Sequence, residues 1–170
     1  MDKIASIELA IANEKTEMEF YQQEANRTDN ELAKQIFIQL AKDESEHMQR
    51  IQELHHKLMQ DGSWPTDLPL SIAGTQVRQD FEELVTKRSS AEDATNADIA
   101  ALQHAIEFEQ KGYRFYMKLA EACSNPAEKA FFNFLSRIER EHYLSLDETL
   151  QYLEDPHSWL LVHERVYLDG

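Results

Sequence analysis

The stretch IANEKTEMEFY, Ile11–Tyr21, carries the pattern on which the fold turns. Ile7, Ile11, Met18, Tyr21 and Ala25 follow one another at spacings that place them on one stripe of a helix. Glu14 falls inside that stripe, where an apolar residue belongs. A shift of 95 residues brings the pattern back as IEFEQKGYRFY, Ile106–Tyr116. Without a gap the shift also lays Ala10 on Ala105, Ala25 on Ala120, Asn30 on Asn125, Phe37 on Phe132, Leu40 on Leu135, Glu44 on Glu139 and His47 on His142. Such an internal repeat means that two helical hairpins share one template.

Glycine and proline, four of each, divide the chain into long uninterrupted blocks. Neither occurs from Met1 to Asp61, after which Gly62, Pro65, Pro69 and Gly74 cluster. Val77, Phe81, Leu84 and Val85 then share a helical face, so residues 61–96 read as a crossover carrying a short helix. Asn125, Pro126 and Glu128 stand in the order of a helix start: a capping side chain, a proline in the first turn and an acid in that turn. Asp155 and Pro156 end that helix. The pattern predicts an all-α fold with four long helices over 3–26, 30–60, 97–123 and 126–154, a bundle occupying residues 1–155. Residues 156–170 form a short C-terminal segment packed on the bundle, helical around Trp159–Val166.

A chain of 170 residues with 42% apolar content suits one well-cored domain. No apolar run approaches the ~18 residues that cross a bilayer, and the opening MDKIASIELA has no secretory pattern. The expectation is a soluble, cytoplasmic protein. A formal charge of −15 argues against nucleic acid and anionic membranes as partners, because affinity for either comes from Lys and Arg neutralising phosphates. The single cysteine, Cys123, makes neither an internal disulfide nor a Cys-x-x-Cys metal knuckle. Any metal must be held by carboxylates and histidines.

Polar residues interrupt the apolar stripes at matched places. Glu44 and His47 lie in the stripe Ile36, Leu40, Ile51, Leu54; Glu139 and His142 lie in the stripe Phe132, Leu135, Leu146, Leu150; and Glu109 matches Glu14. Four carboxylates in one core repel one another and are driven to protonate unless cations are present. Two divalent ions balance them, and a Glu from each of two helices plus Glu-x-x-His from each of the other two is the ligand pattern of di-iron and di-manganese carboxylate bundles. One Glu-x-x-His on a helix is a weak signal. The recurrence of the 30-residue spacing, Glu14 to Glu44 and Glu109 to Glu139, makes the set specific. Glu14, Glu44, His47, Glu109, Glu139 and His142 are therefore the candidate metal ligands.

Tyr21 and Tyr116 lie two turns beyond the lone glutamates, as core aromatics or as hydrogen-bond donors to ligand carboxylates, and are the candidate catalytic residues. The repeat breaks where Glu17 matches Gly112. Glu17 is open to two readings, a surface acid or an additional ligand. Glycine within a helix costs ~1 kcal/mol against alanine; Gly112 leaves space beside the metals for a small oxidant or permits close helix packing. The unmatched His55, His56, His104, His157 and His163 read as surface or structural, and Cys123 is assigned no role.

ANEKTEMEFY, KDESEH, EFEQKGYRFY and IEREH together resemble the rubrerythrin branch of the ferritin-like superfamily over residues 5–155. The resemblance implies a ferritin-like bundle with a non-haem di-iron site. It further implies reaction with hydrogen peroxide or dioxygen, electrons from an external donor protein, and often a homodimer. Rubrerythrins proper also carry a cysteine-rich rubredoxin module, for which one cysteine does not suffice. They place an extra carboxylate in the third long helix, where Gly112 stands here; Glu17 is the candidate to supply a comparable ligand from the opposite hairpin.

Three functions follow from this pattern. The first is a di-iron oxidoreductase acting on peroxide or dioxygen. The second is a metal-binding or iron-handling protein without redox turnover, in which manganese or zinc could replace iron. The third is a structural bundle serving as a scaffold.

Overall fold

The computed structural model describes residues 3–64, 77–86 and 94–167. Six helices follow in chain order: α1 (Lys3–Arg27), α2 (Glu31–Asp61), α3 (Val77–Thr86), α4 (Asn96–Ala122), α5 (Pro126–Glu154) and α6 (Pro156–Tyr167). The long helices end within two residues of the sequence expectation, no strand occurs among the described residues, and the fold is an all-α, ferritin-like helical bundle. No described helix is long and apolar enough to cross a membrane.

The boundaries have local causes. Asn30 caps α2 by accepting from the Ala33 amide at 3.1 Å, and Gly62 ends that helix in the left-handed conformation, φ 65°, which a residue without Cβ adopts freely. Thr95 and Asp98 form a reciprocal capping box at the start of α4. Asn125 accepts from Ala127 and Glu128 at the start of α5, with Pro126 in its first turn. Pro156 does end α5, but it also opens α6, three residues earlier than the sequence suggested. Its missing amide hydrogen is no loss in a first turn, and Asp155 accepts from the Ser158 amide at 3.0 Å.

α1 packs chiefly on α2, and α4 on α5, giving the two hairpins of the repeat. α3 lies against α2 and α5, and α6 against α5. Of the predicted crossover, Pro65, Pro69 and Gly74 lie outside the described residues, as does the side chain of Leu84.

The core divides into two apolar clusters. One gathers Tyr21, Phe37, Leu40, Phe81, Leu102, Leu146, Tyr152 and Trp159; the other gathers Ile7, Ile51, Leu58, Trp64, Tyr116, Phe131, Phe132 and Leu135. On each helix the polar interruptions fall between residues of one cluster and residues of the other, so the acids occupy the middle of the bundle.

Candidate metal centre

Each long helix brings a pair of residues one turn apart to the same level. α1 carries Glu14 and Glu17, α2 Glu44 and His47, α4 Glu109 and Gly112, and α5 Glu139 and His142. Residues three apart on a helix share a face, and here that face is inward. Glu14, Glu44, Glu109, Glu139 and His142 are 0% exposed, Glu17 1% and His47 2%.

Glu44 is the hub. One of its oxygens lies 2.9 Å from Nδ1 of His47 and the other 2.8 Å from Nδ1 of His142. The same two imidazole nitrogens face the lone glutamates, His47 to Glu14 at 3.3 Å and His142 to Glu109 at 3.5 Å. The rings are nearly parallel, 19° apart with centroids 5.6 Å from each other. Three groups of donor atoms, each lying within 4.8 Å of one another, result: Glu14–Glu44–His47, Glu44–Glu109–His142, and Glu14–Glu17–Glu44–Glu139.

The tyrosines join the hairpins reciprocally. Tyr21 on α1 donates to Glu109 on α4, and Tyr116 on α4 donates to Glu14 on α1. Both are also fully buried core aromatics, so the two sequence readings hold together. Burial, followed by the nearby carboxylates, pushes both phenols well above their ordinary range and keeps them protonated.

Electrostatics show how poorly this interior suits free acids. Burial and then the Glu44 charge push Glu14 up to about 7. Burial and neighbouring carboxylates hold Glu17 and Glu139 well above the usual carboxylate range. Burial acts in the same sense on Glu44, but the imidazoles of His142 and His47 outweigh it and hold that group well below its ordinary value. For His47, burial disfavours the imidazolium, yet Glu44 and Glu14 overcome it and push the ring up to about 10. Without cations Glu14, Glu17 and Glu139 hold their protons more tightly than exposed carboxylates do.

Whether metals suit these residues is decided by what lacks a partner. Oε2 of Glu17, Oε2 of Glu109 and both oxygens of Glu139 are buried with no hydrogen-bond partner among the described residues. Buried polar atoms are normally satisfied, and several orphans aimed at one space call for an ion. Oxygen donors with two imidazoles match iron, manganese or zinc. The residues fit the metals.

Three positions are resolved or added. Glu17 is not a surface acid: its side chain lies inside the cluster, with Oε2 unpartnered. At Gly112, an added Cβ would sit 2.6 Å from Oε2 of Glu139 and 2.8 Å from Oε1 of Glu17, so the room there is filled by carboxylates and is not an open gap. Asp43, unnoticed in the sequence, is buried with Oδ2 3.6 Å from Nε2 of His142. Its only sequence signal is a buried neighbour of Glu44 that breaks the repeat, Ile138 standing in its place. The other histidines lie apart from the site: His104 packs on Phe20, His163 stacks on Trp159 and His55 faces Glu8. Cys123 donates to the Leu119 carbonyl, and burial followed by Glu128 pushes its thiol up to about 11.

The Rubrerythrin family model matches residues 6–150. Among solved structures, a hypothetical protein from Pyrococcus furiosus shares the fold with a TM-score of 0.60 and 22% identity, over 91% of this chain and 92% of that one. No curated protein matches the chain.

Proposed function

We propose, since the chain belongs to the rubrerythrin family, that Glu14, Glu44, His47, Glu109, Glu139 and His142 hold two iron ions, and that the protein reduces hydrogen peroxide or dioxygen. The observation that carries this reading is Glu44, whose two oxygens each face a different histidine at under 3 Å. A carboxylate so placed can serve two ions at once. When bound, two ferrous ions supply the two electrons that cleave the O–O bond of peroxide, and with two protons the products are two waters.

The chain's own residues prepare that chemistry. Glu14 and Glu109 are fixed by the phenols of Tyr116 and Tyr21, which hold their protons and keep the carboxylates from swinging. The two apolar clusters flanking the acids keep bulk water from them. An external electron-donor protein would supply the electrons for turnover, and the working form would be a homodimer.

Reconstitution with two ferrous ions per chain followed by one equivalent of peroxide tests the reading. Oxidation faster than that of free ferrous ion, two irons per peroxide, supports it. Iron binding without acceleration favours the alternative, an iron-handling protein without redox turnover. Purification without added metal and elemental analysis shows whether iron, manganese or zinc is the native occupant.

A further inference from the structure

We propose that Glu17 is a seventh metal ligand, delivered from α1 into the space that Gly112 leaves beside Glu139 on the opposite hairpin. The proposal rests on the two-ion reading above and adds a residue to it.

Three observations meet at this place. Glu17 is 1% exposed, its Oε2 has no hydrogen-bond partner among the described residues, and the groups around it are carboxylates and His142. One of its oxygens lies within 4.8 Å of donor atoms from Glu14, Glu44 and Glu139, a group that excludes Glu109. Across from it stands Gly112, where any side chain would meet Oε1 of Glu17 at 2.8 Å and Oε2 of Glu139 at 2.6 Å.

The alternatives account for less. If Gly112 served only close helix packing, an added Cβ would meet the backbone or apolar side chains of a neighbour, yet all three nearest atoms belong to the Glu17 and Glu139 carboxylates. If Glu17 were a structural acid it would be expected to have a cationic partner, and no Lys or Arg pairs with it among the described residues. A fifth carboxylate added to four carboxylates and two imidazoles is ionised in a buried site only as a donor to a cation. Glycine inside α4 also has a cost of its own, ~1 kcal/mol against alanine, and the repeat departs from its template at both members of this pair together. Acid on one hairpin and glycine on the other are one adaptation.

The consequence is an uneven site. Glu17 adds a carboxylate to the group containing Glu14, Glu44 and Glu139, and none to the group containing Glu109 and His142.

Titration of the metal-free full chain with Co(II), followed by calorimetry and by visible absorption, tests this. The native chain should take up two ions. Glu17→Gln should bind one of them at least about tenfold more weakly, a loss of the size seen when groups around a metal are altered, with a changed absorption band. Glu17→Ala should repeat the loss without the amide's own donors. Gly112→Ala should also weaken binding, because its methyl group displaces both carboxylates. Circular dichroism of each metal-free variant confirms that the fold is kept. Two ions bound by Glu17→Gln and Glu17→Ala at native strength and with the native spectrum would overturn the proposal while leaving the two-ion reading intact. Fewer than two ions on the native chain would overturn that reading and this proposal with it.

Discussion

Asp43 on α2 faces the outer ring nitrogen of His142 on α5 across 3.6 Å, and nothing else among the described residues partners either of these two atoms. Gln39 steadies the carboxylate by donating to its other oxygen at 2.7 Å. A carboxylate behind a ligating imidazole orients the ring and raises its basicity. In the repeat Asp43 corresponds to Ile138, so the second hairpin offers His47 no such acid. Asp43→Ala should therefore weaken one of two bound ions about 10–100-fold and leave the other near its native affinity. A two-step manganese or cobalt titration reads this directly, and equal weakening of both steps would refute it.

Tyr21 and Tyr116 each serve the glutamate of the opposite hairpin, so they tie the hairpins together as well as holding ligands. Tyr21→Phe leaves Glu109 buried with its hydrogen bond gone, and Tyr116→Phe does the same to Glu14. Stranding a buried acceptor costs about 1–3 kcal/mol. Urea unfolding of the metal-free protein should show each variant destabilised by that amount, with little change in the slope against denaturant. Unchanged midpoints would mean that the two hydrogen bonds contribute nothing.

The parts of this architecture that recur along the chain were legible in the sequence. Periodic apolar stripes gave the long helices, and Glu14/Glu109, Glu44/Glu139 and His47/His142 identified themselves as repeated interruptions, which the structure brings to one level. What the repeat does not duplicate was legible only in part. Glu17 stands where the repeat breaks against Gly112, which singled it out but left surface acid and additional ligand both open. Asp43 faces Ile138 in the shifted alignment and lies one residue, about 100° of helix, away from the stripe of Glu44, so nothing marked it as interior. The exchange of tyrosine partners between hairpins was invisible for another reason: spacing reports neighbours on one helix and is silent about which helix lies across the core.

The metal-free protein should be more stable at pH 5.5 than at pH 8. Glu14 is pushed up to about 7 from an ordinary 4.5, and His47 up to about 10 from 6.5. Both bind protons more tightly when folded, so their contribution is complete below the unfolded values and is lost as pH rises through the folded ones. Glu44 has the opposite sign, its contribution being lost only on stronger acidification below its ordinary value. Thermal unfolding with chelator present at pH 5.5, 7 and 8 should show the midpoint falling with pH. Relief of the −15 net charge acts in the same direction, so Glu14→Gln provides the control. It should flatten the fall below pH 7, and an unaltered profile would assign the whole effect to general repulsion.

Glu139 puts the role of cations to the sharpest test, because both of its carboxylate oxygens are buried and unpartnered among the described residues. In the metal-free chain it is a liability: burial and then the charges of Glu17, Glu109, Glu44 and Glu14 all oppose its ionisation. Glu139→Leu removes that cost with a side chain of similar size, and replacing buried charge by apolar contact is often stabilising by about 1–4 kcal/mol. Metal reverses the sign. Binding to the folded state alone adds about 2.7 kcal/mol at a free concentration one hundred times the dissociation constant, and a leucine forfeits its share. Calorimetry should therefore show Glu139→Leu melting above the native chain when both are stripped with chelator, and below it when both are given excess manganese. If the native chain melted at one temperature with and without chelator, the buried acids would have to be explained without cations, by protonation alone.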